Sequence, residues 1–475
     1  MGGGYMNFKE FKNKKKVYDI LGSKSHIYWG YLDTLVRNAD ATDVVWLQDL
    51  VKKEDYEKVI KPYLLESVIE CHGDEHKELN KKIYKVFKDM KLAPGMILEY
   101  GDVNRNVEVS YGDVSSNTIF DLASTSKIFT ATAIMSLVDA GLLDLREPVT
   151  KYAPQFVNLK DVTVYDLLKF RVSIVTTKRV DAAKSKEEAE EILFNIKVNE
   201  NQIIKNAYTD MGAMVLKYVV EAVSKMPFDE YACECIFKKA KMNDTCLVVP
   251  EEKLENVADQ NYSSIVDKNG NIITNKDIYP GTVHDPKARV MGAGQGNAPG
   301  HAGYFSTKND MVKFAKAMLN GKILSRESLL DLSNTATAFN DEDKKAYAYG
   351  SLVYLKQLDP AYLGVYRLLS GKAFMSPGFA GTSLVIDPLN NFYSFIAAAR
   401  LADRIYSVAS SMEKNIVMHE NELMTYGGKI ISSSYARKKE EIIKEAYNEL
   451  IRNRLGDLLA MEENRERKLK RKKAE

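Results

Sequence analysis

The chain has 475 residues, enough for one large two-lobed unit or for two to three domains. With 45% hydrophobic and 28% charged residues it can bury a core, which excludes global disorder. A formal net charge of +2 excludes the basic excess of a nucleic-acid binder, and the basic runs Lys12–Lys16 and Arg465–Lys473 read as solvated helix faces or tails.

Residues 1–79 read as a helical N-terminal extension, because Leu50, Val51, Tyr56, Val59, Ile60 and Leu64 recur at helix-like intervals. Met1 to Leu21 is polar and Lys-rich, with no apolar signal region. The apolar run Val44–Val51 is interrupted by Gln48 and Asp49 and is too short to span a bilayer. The expectation is a cytoplasmic protein with no membrane span, or an exported one already relieved of its signal. Cys71, Cys233, Cys235 and Cys246 fit neither a disulfide framework nor a zinc ribbon and read as free thiols. Cys71, His72, Asp74 and His76 bring ligand types together at no standard zinc spacing, so neither metal nor cofactor is expected.

A second region spans 80–415. Ile83, Val86, Phe87 and Met90 mark an amphipathic helix that stops at Pro94-Gly95, and two short strands follow, Met96–Tyr100 and Val107–Tyr111. A helical lobe occupies about 127–300, its end, 250–300, being Gly-, Pro- and Asn-rich like a loop system over a site. A helix at Asp310–Leu319 precedes strand-like runs at Tyr347–Leu355, Tyr362–Leu369, Thr382–Ile386 and Phe392–Ala399, the last two joined by the turn Asp387–Asn391. Residues 416–475 read as a helical C-terminal extension with a basic tail, Tyr435–Leu459 being its clearest helix. Two strands, a helical block, antiparallel strands and closing helices predict an α+β fold: an antiparallel sheet flanked by helices, with an all-helical lobe inserted.

No G-x-S-x-G elbow, Walker loop or H-E-x-x-H occurs, and Gly292–Gly296 lacks dinucleotide-binding spacing. An S-x-x-K stands at Ser124-Thr125-Ser126-Lys127 and another at Ser411-Met412-Glu413-Lys414. Context separates them. Ser124 opens an apolar helix (Ile128, Ala131, Ile134, Leu137, Val138) that ends at Gly141. There a serine gains the positive helix end and a free first-turn amide, and Lys127 lies over the same face. Buried beside that helix, Lys127 is expected to shed its proton near neutral pH and act as a base. A capping Ser with a solvated Lys is the alternative.

The surrounding stretch Phe120–Val149 resembles the nucleophile helix of the class C β-lactamase and penicillin-binding protein family, which includes esterases and D-amino-acid peptidases. Further segments resemble that family in order. Pro94-Gly95 and its strands look like the opening hairpin, and Tyr208-Thr209-Asp210 like the second motif, Y-x-N, in the Y-S/T-D form that some esterase-like members show. Gly281–Asp285 and Gly300–Thr307 look like stretches of an esterase-like branch, and Phe379–Pro388 like the segment after the third motif. The resemblance implies a β-lactamase/transpeptidase-like fold and an acyl-enzyme on Ser124. It implies that Lys127 and Tyr208 exchange the proton, Tyr208 as a phenolate beside the lysine ammonium. It also implies that the amides of Ser124 and Phe379 form the oxyanion hole, that Gly378 and Ser376 line the substrate site, and that Asp210 orients the lysine or meets the substrate.

Two segments depart from the family. Its K/H-T-G is Ser376-Pro377-Gly378 here, without the cation, and Pro377 cannot bind a carboxylate as Thr does. Its H-T-S-G-L loop is Phe170–Ile174, without the His and Gly. The expected substrate is therefore a small ester, amide or peptide, with a β-lactam less well served, and the alternative is a weakly active homologue serving as a binding or scaffold protein. The two extensions could build a homo-oligomer. His284 and His301 lie in loops, where a structural hydrogen bond is the expected role and a place in the cleft the alternative.

Overall fold

Residues 96–101 are buried throughout, whereas 106–111 alternate between exposed and half-buried, which makes the first a central strand and the second an edge. In this computed structural model they are β1 (Met96–Gly101) and β2 (Asn106–Tyr111) of a five-stranded antiparallel sheet. The others are β3 (Phe374–Pro377), β4 (Ser383–Asp387) and β5 (Phe392–Ala398), in the order β2-β1-β5-β4-β3. The structure describes residues 77–450 apart from 113, 200–207, 259, 261, 277–278, 335–348, 356–368, 421, 437 and 448; before them it describes only 16, 53–55 and 58–59. Contacts divide the chain into two units, 83–443 and a second made of 1–82 with 444–475, where three parts were expected. In the second unit, Lys82 pairs with Glu445 at 3.6 Å.

Within 83–443 a helix, α1 (Lys127–Asp139), has every residue from Lys127 to Leu137 buried, apolar and polar alike. A helix buried all round belongs to a core, not to a surface. Phe129 meets Phe237, Tyr304 and Phe314 edge to face at 5.0, 5.4 and 5.5 Å between ring centroids. Gly141, at φ +68°, follows its C-terminal end as expected. The helix α2 (Asp210–Ser224) packs along α1 and starts at Thr209, whose hydroxyl accepts from the Met211 N–H at 3.2 Å. A short helix, α3 (Pro286–Val290), is capped by Asp285, and α4 (Lys308–Leu319) covers β1 and β5. Lys308, on α4, ties down the buried Glu99 of β1 at 2.5 Å, and the Tyr393 hydroxyl of β5 donates to the same carboxylate at 2.9 Å.

The helical lobe also carries strands too short to announce themselves. Ser264–Val266 runs parallel to Ile405–Val408 and antiparallel to Ile272–Thr274. Residues 416–475, expected to be helical, begin with a three-stranded antiparallel sheet, Val417–Met418, Met424–Tyr426 and Lys429–Ile430, before helix resumes at 433. Of the expected strand at 347–355, whose first two residues lie outside the described ones, two bridges form, Tyr349 with Tyr354 and Tyr354 with Met375 of β3, and 362–368 lie outside the described residues. Cys233, Cys235 and Cys246 are free, whereas Cys71 with its neighbouring histidines lies outside the described residues. Among the described residues no helix is long and apolar enough to cross a membrane.

The edge strand β3 is bolted to the turn that starts α1. The Thr125 and Thr382 hydroxyls lie 2.9 Å apart and share two protons among three contacts: with each other, from Thr125 to the Ser376 carbonyl at 3.1 Å, and from Thr382 to the Leu122 carbonyl at 3.1 Å. Gly378 fills the remaining space: a methyl there would overlap Thr382 Oγ1 and the Leu122 carbonyl and sit 2.9 Å from Thr125 Oγ1. Gly378→Ala is therefore expected to cost about 1–3 kcal/mol, the usual penalty of overpacking. Urea unfolding of the two proteins measures it, and an unchanged midpoint would show that the turn can give way.

Candidate active site

Asp121 ends a strand, and Ala123 takes a left-handed φ of +45°, a conformation an alanine pays for. The Asp121 carboxylate holds that turn, accepting the Ala123 N–H on one oxygen and the His284 N–H on the other, both at 2.7 Å. Burial, only partly offset by those two N–H groups, pushes Asp121 up to about 6. The next residue, Ser124, sits in a 3-10 turn and opens onto a cleft of about 760 Å³. Among the described residues neither the Ser124 nor the Phe379 backbone N–H has an acceptor within the protein.

Lys127, 1% exposed, points back along α1 and donates to Ser124 Oγ at 2.8 Å and to the His301 carbonyl at 3.3 Å. Its third partner is Asp210 Oδ1 at 2.8 Å, and it lies 5.2 Å from the centre of the Tyr208 ring. Burial pulls the lysine down, but the charge of Asp210, followed by Tyr208, more than reverses it, so Lys127 is raised above the ordinary lysine value. The expectation that burial would leave it neutral near pH 7 is corrected by Asp210, whose carboxylate favours the ammonium. Asp210 is correspondingly held below the usual carboxylate range, since Lys127 and then His301 and Lys287 outweigh its burial. Of its two expected roles, orienting the lysine is the one these contacts fit.

Tyr208 stands just ahead of α2, packed against Phe170, Tyr354 and Tyr349 at 5.1, 5.4 and 6.0 Å. Phe170, where the resembled family has its H-T-S-G-L loop, is buried at φ +52° and fills the space beside this ring. Pro377, Gly378 and Phe379 also line the cleft. Ser376 does not, contrary to its expected place in the substrate site. It is 2% exposed, and its hydroxyl donates to the Thr125 carbonyl at 3.3 Å. Strand alternation explains this, because Ser376 and Gly378 share the face toward the α1 turn while Pro377 takes the other. The second S-x-x-K, Ser411–Lys414, lies in a short 3-10 helix with no buried residue.

Several groups here carried no signal of their own in the sequence. Lys287, on α3, pairs with Asp210 Oδ2 at 3.1 Å and Asp285 Oδ2 at 3.3 Å. The His301 ring bonds Asp285 at 3.1 Å, which is the structural role expected of it. Asp285 and His301 stand in the segments Gly281–Asp285 and Gly300–Thr307 singled out in the sequence, whereas Lys287 stands in neither. Asp210, Asp285 and His301 could present three ligand atoms within 4.8 Å of one another, yet Lys127 and Lys287 already pair with these carboxylates and would oppose a cation. Arg400 and Lys439 also line the cleft, and the Arg400 guanidinium stacks 4.9 Å over the 40% exposed Phe379.

His284 lines the cleft too, its ring 5.7 Å from Phe379 and 5.2 Å from Tyr406, with Nε2 buried and unpartnered. Burial, then the charge of Arg289, lowers His284 from 6.5 to about 4. The unfolded chain takes up this proton below pH 6.5 and the folded one only near 4, so the stability it carries is full above 6.5 and is lost as pH falls toward 4. His284→Phe, which keeps an aromatic ring, should lose about 2–3 kcal/mol less than the parent between pH 7 and 4. Urea midpoints across that range test this, and parallel curves would contradict it.

The sequence matches the Beta-lactamase family over residues 83–410, more than half of the chain. It is 26% identical over 369 residues to an Escherichia coli K12 protein named D-alanyl-D-alanine carboxypeptidase, covering 69% of this chain and 79% of that one. The fold is similar to a class C β-lactamase of Rhodobacter sphaeroides (TM-score 0.52, 16% identity, 77% of this chain and 98% of that). It is also similar to EstCE1, a hydrolase with promiscuous acyltransferase activity (TM-score 0.54, 15% identity, the same shares). The chain therefore belongs to the Beta-lactamase family of hydrolases and has the β-lactamase/transpeptidase-like fold.

Proposed function

We propose that this protein is a serine hydrolase that passes through an acyl-enzyme on Ser124. The observation that carries the reading is the 2.8 Å contact of Ser124 Oγ with a buried, charge-paired lysine on the floor of an open cleft. Ser124 Oγ attacks the carbonyl carbon of an ester or amide, and the two N–H groups of Ser124 and Phe379 hold the oxyanion that forms. The serine proton moves to the Lys127–Tyr208 pair and from there to the departing alkoxide or amine as the C–O or C–N bond breaks. Water then enters by the same proton path, releasing the acid and restoring Ser124.

Ser376-Pro377-Gly378 offers no cation, which favours a small ester or amide. Arg400 favours a second substrate class, a peptide or β-lactam bearing a carboxylate, for it supplies positive charge in the same cleft, whereas Lys439 is buried and already paired with Glu440 at 3.2 Å. The name of the E. coli relative points the same way.

A fluorophosphonate and a fluorescent penicillin separate these cases. Wild type should be labelled by the first, and Ser124→Ala by neither. Tyr208→Phe and Lys127→Ala should slow labelling at least about 100-fold, the scale of a lost proton-transfer group. If the carboxylate class is right, Arg400→Ala should weaken penicillin labelling about tenfold and leave fluorophosphonate labelling unchanged. A wild type that neither reagent labels would refute the acyl-enzyme and leave the binding-protein reading.

A further inference from the structure

Lys127 is paired to a carboxylate where the resembled motif often has a neutral Asn. A full negative charge 2.8 Å away makes an ammonium harder to deprotonate, and the proton path above needs the Lys127–Tyr208 pair to give up one proton before it can accept another. Asp210 has two oxygens, however. Lys127 holds Oδ1 and Lys287 holds Oδ2 at 3.1 Å, so the carboxylate is shared between two ammonium groups. Lys287 also reaches Asp285 at 3.3 Å, whose other oxygen takes the His301 ring, while the His301 carbonyl faces Lys127.

We infer that Lys287 is a positioning residue for the proposed proton transfer, its charge on the far oxygen of Asp210 easing the Lys127–Tyr208 pair into its active, singly deprotonated form. The inference rests on the acyl-enzyme reading and adds to it a cation delivered by α3. That cation stands in part for the one missing from Ser376-Pro377-Gly378. The ionic groups around it are Lys127 and Lys287 against Asp210 and Asp285, with the His301 ring on the other oxygen of Asp285 and Asp181 nearby already bound to Arg179 at 2.5 Å. Removing Lys287 takes one positive charge from beside the pair, and the more negative surroundings stabilise the protonated form. Lys287 is 23% exposed at the side chain and lines the cleft, so its removal opens no cavity in the core.

The test is the pH profile of fluorophosphonate labelling in wild type, Lys287→Met, Lys287→Arg and Asp285→Asn. The limb on which labelling rises with pH should move up by about one unit in Lys287→Met, which is about a tenfold loss of rate at a fixed pH below the limb, with recovery at high pH. Lys287→Arg keeps the charge and should keep the limb in place. Asp285→Asn removes a negative charge and should move the limb down. A purely structural lysine would lower the rate equally at every pH, and that result, or an unmoved limb in both Lys287→Met and Asp285→Asn, overturns the inference while leaving the acyl-enzyme intact. If Lys287→Met does not fold, the opposite shift in Asp285→Asn decides alone. Absence of Ser124-dependent labelling in wild type would remove both.

Discussion

One buried charge organises this site. Lys127 lies on the first turn of a helix whose next ten residues are also buried, and an ammonium in such a place is intolerable unless its donors are used. It has three partners, each fixed by a different part of the chain: Ser124 by its own turn, Asp210 by the cap of α2, and the His301 carbonyl by the loop before Phe305–Thr307. The chemistry and the folding of the lobe are thus coupled through one residue. Loss of any partner strands charge in the core, so selection for stability alone would hold much of this geometry in place.

The serine is located from the other side by hydroxyls and one carboxylate. Asp121 keeps Ala123 at positive φ, and Thr125, Thr382 and Ser376 weld that turn to β3. The raised Asp121 means that its ionised form, the form able to accept two N–H groups at once, is costly in this apolar setting. Such a cost is usual where a strained turn must be held for function. The same bolts explain how β3 tolerates Pro377: its pairing with β4 is supplemented by side chains on the face turned away from the cleft, so the altered residue sits where only the substrate would notice.

Long elements were legible in the sequence because their periodicity reflects burial. The strand pair 96–111, the helix ending at Gly141, and the strands near 383 and 392 all lie where the pattern puts them. Ser124, Lys127, Tyr208 and Asp210 were legible by their motif order. What was not legible depends on pairing across space. Strands of two or three residues, as at 417–430, have no period to read. Lys287 is one lysine among many until α3 aims it at Asp210, and the direction of the Lys127 shift turns on a partner more than eighty residues away. Ser376 was misplaced because a motif names a strand without saying which side of it each residue takes.

The altered third motif and the charged second motif belong to one argument. Where the family sets a cation on the strand, this chain has none, and where the family often sets a neutral amide beside the lysine, this chain has a carboxylate. Each change alone would leave the lysine held too firmly as an ammonium, the first by removing positive charge from the cleft and the second by adding negative charge. Lys287 and Asp285, on a five-residue helix and its N-cap, answer both in the proposed chemistry: a cation returns to the cleft, and it lands on the carboxylate that created the need. Arg400, two residues beyond β5, adds positive charge to the cleft beside Phe379. The electrostatic requirements of the proposed chemistry thus fall on residues outside the motifs.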